Sequence, residues 1–197
     1  MSPRARRLAA PIAAFLVGLA ALLVAAYLTL APSPRIAAAS TVGGPFRLVD
    51  GNGRTVTERE LKGAPHLVFF GFTHCPDVCP TKLFELSEIF RSMAGRGPAI
   101  RALFITVDPE RDTPEVMKNY VASFDPRIVG LTGGRDEVDA VVKSYRAYAR
   151  KMPLKDGDYT MEHTTLVYLM DKEGRFVGSF NVERPPAEAA KDLLARL

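Results

Sequence analysis

The sequence predicts an α/β domain in which helices cover both faces of a mixed β-sheet, preceded by one N-terminal transmembrane helix. Three observations indicate this. Residues 8–31 carry no charge at all. Between residues 67 and 148, short apolar runs alternate with amphipathic helical segments, which is the pattern of parallel strands joined by helices. Two further apolar runs flank Asp171-Lys172-Glu173-Gly174, and this arrangement is typical of an antiparallel hairpin.

The N-terminal part divides into three predicted segments: a short terminus (1–7), a membrane span (8–31) and a linker (32–44). As a helix, the 24 residues of the span would extend ~36 Å at ~1.5 Å per residue, enough to cross a ~30 Å hydrocarbon layer. The apolar core of a signal peptide is shorter, about 7–15 residues. We therefore expect an uncleaved anchor, although Ala37-Ala38-Ala39 resembles a cleavage site.

The charges of this segment predict its orientation. Arg4, Arg6 and Arg7 precede the span and no acidic residue lies near them, so the positive-inside rule places the terminus in the cytoplasm. We expect a single-pass protein of a bacterial inner membrane, with the domain 45–197 on the periplasmic side. With Arg35, these arginines account for the net charge of +4, because the rest of the chain carries 22 basic and 22 acidic residues. A neutral domain gives no indication of nucleic-acid binding.

The elements of the domain follow in order from their patterns. Thr57 and Glu60 have the spacing of a capping box, and Thr113-Pro114 reads as an N-cap followed by the first helical residue. Glycine and proline mark the ends of the remaining elements. Predicted strands are 46–49, 55–56, 67–70, 100–107, 128–131, 164–170 and 176–180, and predicted helices are 80–93, 114–124, 138–148 and 186–196, with a polar loop at 155–159.

The only two cysteines of the chain, Cys75 and Cys79, lie between the strand 67–70 and the helix that we expect to begin at Pro80. Proline inside a helix costs roughly 3 kcal/mol, so residues 75–79 are predicted to form a loop over the helix start. Both thiols should then face outward, where the positive end of the helix favours thiolate. A disulfide closing so short a loop would stabilise little, which favours a functional pair.

A strand that leads into a cysteine turn and a helix, with an antiparallel pair at the end, is the thioredoxin arrangement. Thioredoxins place two residues between their cysteines, whereas this chain places three, so a third metal ligand is worth seeking among the histidines. His66 is expected at the surface or at a sheet edge, and His74 should point away from Cys75 because neighbouring strand residues face opposite sides. His163 precedes the last hairpin, where thioredoxins have a loop that faces the cysteine turn.

Two thiolates and one imidazole suit one copper ion, since sulfur favours Cu(I) and the same donors also hold Cu(II). Structural zinc sites have four ligands, so three would leave zinc incompletely bound. The predicted metal ligands are therefore Cys75, Cys79 and His163.

At these residues the chain resembles the Sco/SenC family of copper chaperones. The resemblance covers residues 41–197 and includes Gly71-Phe72-Thr73-His74-Cys75-Pro76-Asp77-Val78-Cys79-Pro80, Val107-Asp108-Pro109-Glu110-Arg111-Asp112-Thr113-Pro114, and His163 before Tyr168-Leu169-Met170-Asp171. It implies a thioredoxin-like fold, copper ligands Cys75, Cys79 and His163, and delivery of copper to the CuA centre of cytochrome c oxidase. Glu162 stands where many members have Asp. Asp108 could serve partner recognition, or it could be a turn residue.

The implied partners are the CuA-bearing oxidase subunit and another periplasmic copper chaperone or thiol reductase. Four alternatives to simple copper delivery stay open at this point. Cys75 and Cys79 alone would suffice for a thiol–disulfide oxidoreductase that reduces the CuA-site cysteines, with His163 dispensable. A redox sensor and a copper sensor are compatible with the same residues. Cys79-Pro80-Thr81 is also similar to a peroxiredoxin turn, but nothing else in the sequence supports a thiol peroxidase.

Overall fold

The computed structural model describes residues 15–23, 42–155 and 157–197. Residues 15–23 form one exposed helical stretch. No helix within the described ranges is both long and apolar enough to cross a membrane. Most of the predicted span 8–31 and of the linker 32–44 lies outside the described residues, so the anchor stays a prediction.

Nine strands and four α-helices make up the described part of the domain, with one 3-10 turn at Glu58–Leu61. The strands are β1 (Arg47–Asp50), β2 (Thr55–Thr57), β3 (His66–Gly71), β4 (Arg101–Thr106), β5 (Ile128–Thr132), β6 (Ala149–Pro153), β7 (Tyr159–His163), β8 (Val167–Met170) and β9 (Phe176–Phe180). The helices are α1 (Val78–Met93), α2 (Pro114–Val121), α3 (Arg135–Ser144) and α4 (Pro186–Arg196).

Seven of the strands form one mixed sheet in the order β2-β1-β5-β4-β3-β8-β9. Strands β3, β4 and β5 are parallel neighbours, as expected for strands joined by helical crossovers. Strands β8 and β9 form the predicted antiparallel hairpin, which pairs with β3. The sequence prediction of a thioredoxin-like mixed sheet is confirmed.

Strand β3 lies in the middle of the sheet and is buried along its whole length, which explains its unbroken apolar sequence. Alternate residues face opposite sides. The Phe69 ring lies 5.9 Å from that of Phe104, which in turn stacks on Tyr120 at the end of α2. The Phe70 ring instead contacts Tyr145, which follows α3, at 5.5 Å. Helical segments therefore cover both faces, as predicted.

The start of helix α1 and the strands β6 and β7 differ from the sequence prediction, each for a physical reason. Helix α1 begins at Val78, not at Pro80; the first-turn N–H groups of a helix have no partner within it, so proline is tolerated there. The segments on either side of the predicted polar loop 155–159, for which no strand was predicted, form the antiparallel strands β6 and β7, which make a separate two-stranded sheet. Strand β6 is mostly exposed, and β7 is partly buried with only Met161 in the core. Neither strand therefore shows the apolar alternation by which strands are recognised.

Candidate metal centre

Three side chains from distant parts of the sequence meet beyond the end of β3. One donor atom from each of Cys75, Cys79 and His163 lies within 4.8 Å of the other two. The Sγ of Cys79 is 3.6 Å from Nε2 of His163. The three residues that the sequence predicts as metal ligands therefore form one group that could hold a metal ion.

The two cysteines differ in exposure. Cys75 lies in the turn after β3 and is half-buried, whereas Cys79 lies in the first turn of α1 and is completely buried. The expectation that both thiols face outward was wrong for Cys79. The reason is the close approach of Gly71, where a β-carbon would lie 2.7 Å from the Cys79 sulfur and 2.6 Å from the Phe104 ring. Only glycine leaves room for this sulfur beneath the turn.

Burial and hydrogen bonding shift the pKa values of the two free thiols in opposite directions. The Cys79 thiol donates to the Cys75 sulfur, and this bond, with further help from backbone N–H groups, lowers the pKa of Cys75 to about 4. The Cys79 N–H contributes a bond of 3.3 Å to the same sulfur. The same thiol–thiolate bond, together with burial, raises the pKa of Cys79. The site thus holds one thiolate and one thiol, and a metal ion that binds both sulfurs must displace the Cys79 proton.

His163 occupies the last position of β7 and turns its ring toward the cysteines. Its Nδ1 lies 3.0 Å from the Thr164 carbonyl, and since a carbonyl only accepts, Nδ1 carries the proton and Nε2 keeps its lone pair for a metal. The ring packs edge-on against Phe72, at 5.8 Å between centroids, and against Phe69 at 6.3 Å. These contacts restrict rotation of the imidazole.

The other two histidines lie elsewhere. His74 is exposed and outside the cysteine group, although its Nδ1 is 3.2 Å from the Thr73 hydroxyl. His66 was expected at the surface or an edge, but only 4% of it is exposed, because β3 is a central strand. Burial lowers the pKa of His66, and its Nδ1 has no hydrogen-bond partner among the described residues.

One buried carboxylate that holds the cysteine turn was not singled out from the sequence. Asp112 is completely buried and accepts hydrogen bonds from the Thr73 N–H at 3.1 Å and from the Thr73 and Thr106 hydroxyls, both at 2.6 Å. It therefore ties the turn that precedes Cys75 to the end of β4. The only sequence signal was its place in the run 107–114, since a buried Asp is not distinguishable from a surface one by pattern.

Asp108, for which the sequence left partner recognition and a turn role open, is completely buried. This burial favours the turn role over direct recognition of a partner by the side chain. Its carbonyl accepts from the N–H groups of Arg111 and Asp112 at 3.2 and 3.0 Å, which makes it a turn residue. Its carboxylate pairs with Arg111 at 2.6 Å.

Two sulfurs and one imidazole nitrogen are a soft donor set. Copper in either oxidation state accepts such donors, and sulfur favours Cu(I). The four-ligand closure of structural zinc would need one more donor, and no fourth His, Cys, Asp or Glu joins the group within the described ranges. The site is therefore chemically suited to hold copper in an incomplete coordination sphere.

Comparison with known proteins agrees with this geometry. The SCO1/SenC family model matches residues 34–197. The human mitochondrial SCO1 homologue is 40% identical over 159 residues, which cover 79% of this chain and 53% of that protein. A SCO2-like protein of Rickettsia felis is 38% identical over 149 residues, covering 75% of this chain and 73% of the relative. The chain thus spans about half the length of the human relative.

Solved structures of Sco proteins are also similar to this chain. A structure of Bradyrhizobium japonicum ScoI with copper bound superposes with a TM-score of 0.75 at 60% identity, covering 79% of this chain and 99% of the other. A structure of yeast Sco1 with copper bound gives a TM-score of 0.72 at 39% identity, covering 78% of this chain and 87% of the other.

Proposed function

The chain belongs to the SCO1/SenC family, and we propose that it is a copper metallochaperone which delivers copper to the CuA centre of cytochrome c oxidase. One copper ion binds per chain, with the Cys75 and Cys79 thiolates and Nε2 of His163 as ligands. The observation that carries this proposal is the convergence of these three donors within 4.8 Å. Relatives whose structures contain copper support it.

The geometry suits delivery better than storage. Three donors leave copper open to a fourth ligand from a receiving protein, so transfer can proceed by exchange of ligands, one at a time. Cys75 is the more accessible of the two sulfurs, and it is the thiolate that an incoming metal meets first. Cys79 gives up its proton when copper binds, and it takes a proton again when copper leaves.

Metal analysis of the purified domain tests the binding. The reduced protein should bind one equivalent of Cu(I), and a Cys75→Ala, Cys79→Ala double variant should bind none at this site. Oxidation of the two thiols to a disulfide should also abolish binding, because a disulfide offers no thiolate. Full-strength Cu(I) binding by the double variant would overturn the proposal.

The copper-bound relatives favour copper delivery, but the cysteine pair is also compatible with a second candidate, a thiol–disulfide oxidoreductase that reduces the CuA-site cysteines. A half-buried thiolate beside a buried thiol is also the arrangement of an attacking and a resolving cysteine. That reaction does not need His163, whereas copper binding does. The substitution of His163 described below therefore separates the two functions.

We further propose that the domain is periplasmic and held by an uncleaved anchor at residues 8–31, with the CuA-bearing oxidase subunit as its partner. The charge-free span and the preceding arginines support this. N-terminal sequencing of the membrane-extracted protein tests it. A mature chain that begins at Ser40 would contradict the anchor.

A further inference from the structure

The proposed ligand His163 lies on a hairpin that is not hydrogen-bonded into the main sheet. Strands β6 and β7 pair only with each other, as a separate two-stranded sheet. His163 pairs with Ala149 at the end of the hairpin where the chain enters and leaves it. The hydrogen bonds between Tyr148 and Thr164, both 2.9 Å, also stay within the hairpin. Its orientation relative to the cysteines must therefore be set by side chains, among them the buried Met161 and the rings that contact His163.

A cluster of charged and aromatic side chains joins the hairpin, mainly at the end next to its connecting loop, to the loop that follows β4. Arg111 is its centre: Nε donates to the buried Asp108 carboxylate at 2.6 Å, and Nη2 donates to the Tyr159 carbonyl at 3.1 Å. The Tyr159 hydroxyl donates to the other Asp108 oxygen at 3.0 Å. The three residues close a ring of contacts between the loop and β7, and we refer to them as the Asp108–Arg111–Tyr159 clamp.

Two cations reinforce this clamp. The Arg111 guanidinium lies 3.7 Å from the centroid of the Tyr159 ring, and the Lys151 ammonium of β6 lies 3.8 Å from it. Lys151 also pairs with Glu110 of the same loop at 2.7 Å. Each cation–π contact adds to the attraction between the hairpin and the loop. Both strands of the hairpin are thereby attached.

The burial of this network argues against a role in stability alone. Asp108 is completely buried and the Arg111 side chain is only 19% exposed. A buried ion pair of this kind contributes little net stability compared with apolar packing, because both charges lose their hydration. The ion pair does fix the geometry of the residues that it joins, because a guanidinium and a carboxylate bind each other in few relative orientations.

We propose that Arg111, through the Asp108–Arg111–Tyr159 clamp, is a positioning residue for the metal centre. It holds β7 so that Nε2 of His163 stays within reach of the two sulfurs. Without the clamp, the hairpin would spend part of its time with His163 turned away, and the apparent copper affinity would fall by that fraction. This inference rests on the proposed copper function.

The test compares the Cu(I) affinity of clamp variants in two backgrounds, the wild-type protein and the His163→Ala variant. Arg111→Met removes the guanidinium but leaves Asp108 buried without its partner, which can unfold the domain. Tyr159→Leu is the second variant. It keeps the Asp108–Arg111 pair and removes only the Tyr159 hydroxyl and aromatic ring, which are the side-chain groups that the hairpin contributes to the clamp. Arg127→Met is the matched control: Arg127 also pairs with a carboxylate, Asp125, at 2.7 Å and lies over an aromatic ring, Phe90, at 4.7 Å, but it does not belong to the hairpin or its loop.

Cu(I) affinity is measured by competition with a chelator of known affinity. Folded Arg111→Met and Tyr159→Leu should retain Cu(I) about tenfold less tightly, at the lower end of the effect of losing a partner that orients a ligand. The same substitutions in a His163→Ala background should cause no further loss, and Arg127→Met should bind like the wild type. Equal losses in both backgrounds, or an unchanged affinity in folded Tyr159→Leu, would overturn the positioning role.

A measurement without metal keeps the inference separate from the proposed function. Amide hydrogen exchange of residues 159–163 in the metal-free domain should be faster in Tyr159→Leu than in the wild type and unchanged in Arg127→Met. If the wild-type protein bound no copper, the proposed function would fail. Hydrogen exchange alone would then test whether the clamp holds β7 in place. Unchanged exchange at these residues in Tyr159→Leu would refute it.

Discussion

The imidazole of His163 lies 3.6 Å from the Cys79 sulfur, although 84 positions separate the two residues in the sequence. Cys79 is part of helix α1 and His163 is part of the β6–β7 hairpin, so neither element alone defines the site. The Thr164 carbonyl, the clamp and the rings of Phe69 and Phe72 each restrict His163. The metal centre is therefore sensitive to changes at residues that never touch a metal.

His163→Ala removes the nitrogen ligand and leaves both thiols. In the copper function, copper retention should fall by more than the roughly 10–100-fold expected for losing a partner that only orients a ligand, and CuA assembly in cells should be impaired. His74→Ala is the matched control, because this exposed ring neighbours Cys75 in sequence but lies outside the donor group. Normal CuA assembly by His163→Ala protein that holds no copper would favour the oxidoreductase.

Gly71→Ala should displace the Cys79 sulfur. The added carbon would lie 2.7 Å from that sulfur and 2.6 Å from the Phe104 ring, and such overpacking typically costs about 1–3 kcal/mol of unfolding free energy. We expect lower stability in urea and weaker Cu(I) binding. Gly44→Ala is the control, because its added carbon would meet only the Ser144 side chain at an ordinary 3.6 Å. Wild-type stability and affinity in Gly71→Ala would contradict the close approach.

Asp112→Ala should loosen the cysteine turn. It leaves the Thr73 N–H and the Thr106 hydroxyl without their acceptor, and an unsatisfied buried polar group costs about 1–3 kcal/mol. Urea unfolding should show this loss. Asp192→Ala is the comparison, since Asp192 pairs with Arg196 at 3.6 Å where both side chains are only partly buried, and pairs accessible to solvent contribute about 0–1 kcal/mol. Equal effects of the two substitutions would argue against the role of Asp112.

His66 should make the domain less stable at acidic pH. Burial lowers its pKa in the folded state, only partly offset by a bond to the Ala64 carbonyl and by Asp171. The unfolded chain therefore binds the proton more readily, and the unfolding free energy falls as the pH drops below the unfolded pKa of about 6.5. In urea titrations of the metal-free domain at pH 7 and pH 5, His66→Leu should reduce this loss. An identical loss in wild type and His66→Leu would contradict the prediction.

The sequence determined much of the sheet and the place of the two cysteines, because both depend on local patterns, whereas His163 was predicted from the position of its loop in the fold and from the family resemblance. The apolar run of β3, the cap at Thr113 and the hairpin at residues 171–174 each reflect contacts within a few residues. The position of Cys75 and Cys79 at a strand-to-helix turn follows from the same reasoning.

Only the tertiary structure decided how deeply the side chains in and around the site are buried and which residues contact them. Cys79 and His66 are buried because they lie under or within the centre of the sheet, which no local pattern expresses. The β6–β7 hairpin was missed because its strands lack a regular alternation of apolar and polar residues: only Met161 is buried, and polar and charged residues make many of its contacts. Asp108 and Asp112 look like surface residues in the sequence, and they are buried because Arg111, Tyr159, Thr73 and Thr106 satisfy them. The hydrogen-bond partners of a buried polar group come from wherever the chain folds back, so they are set by long-range contacts and not by spacing along the chain.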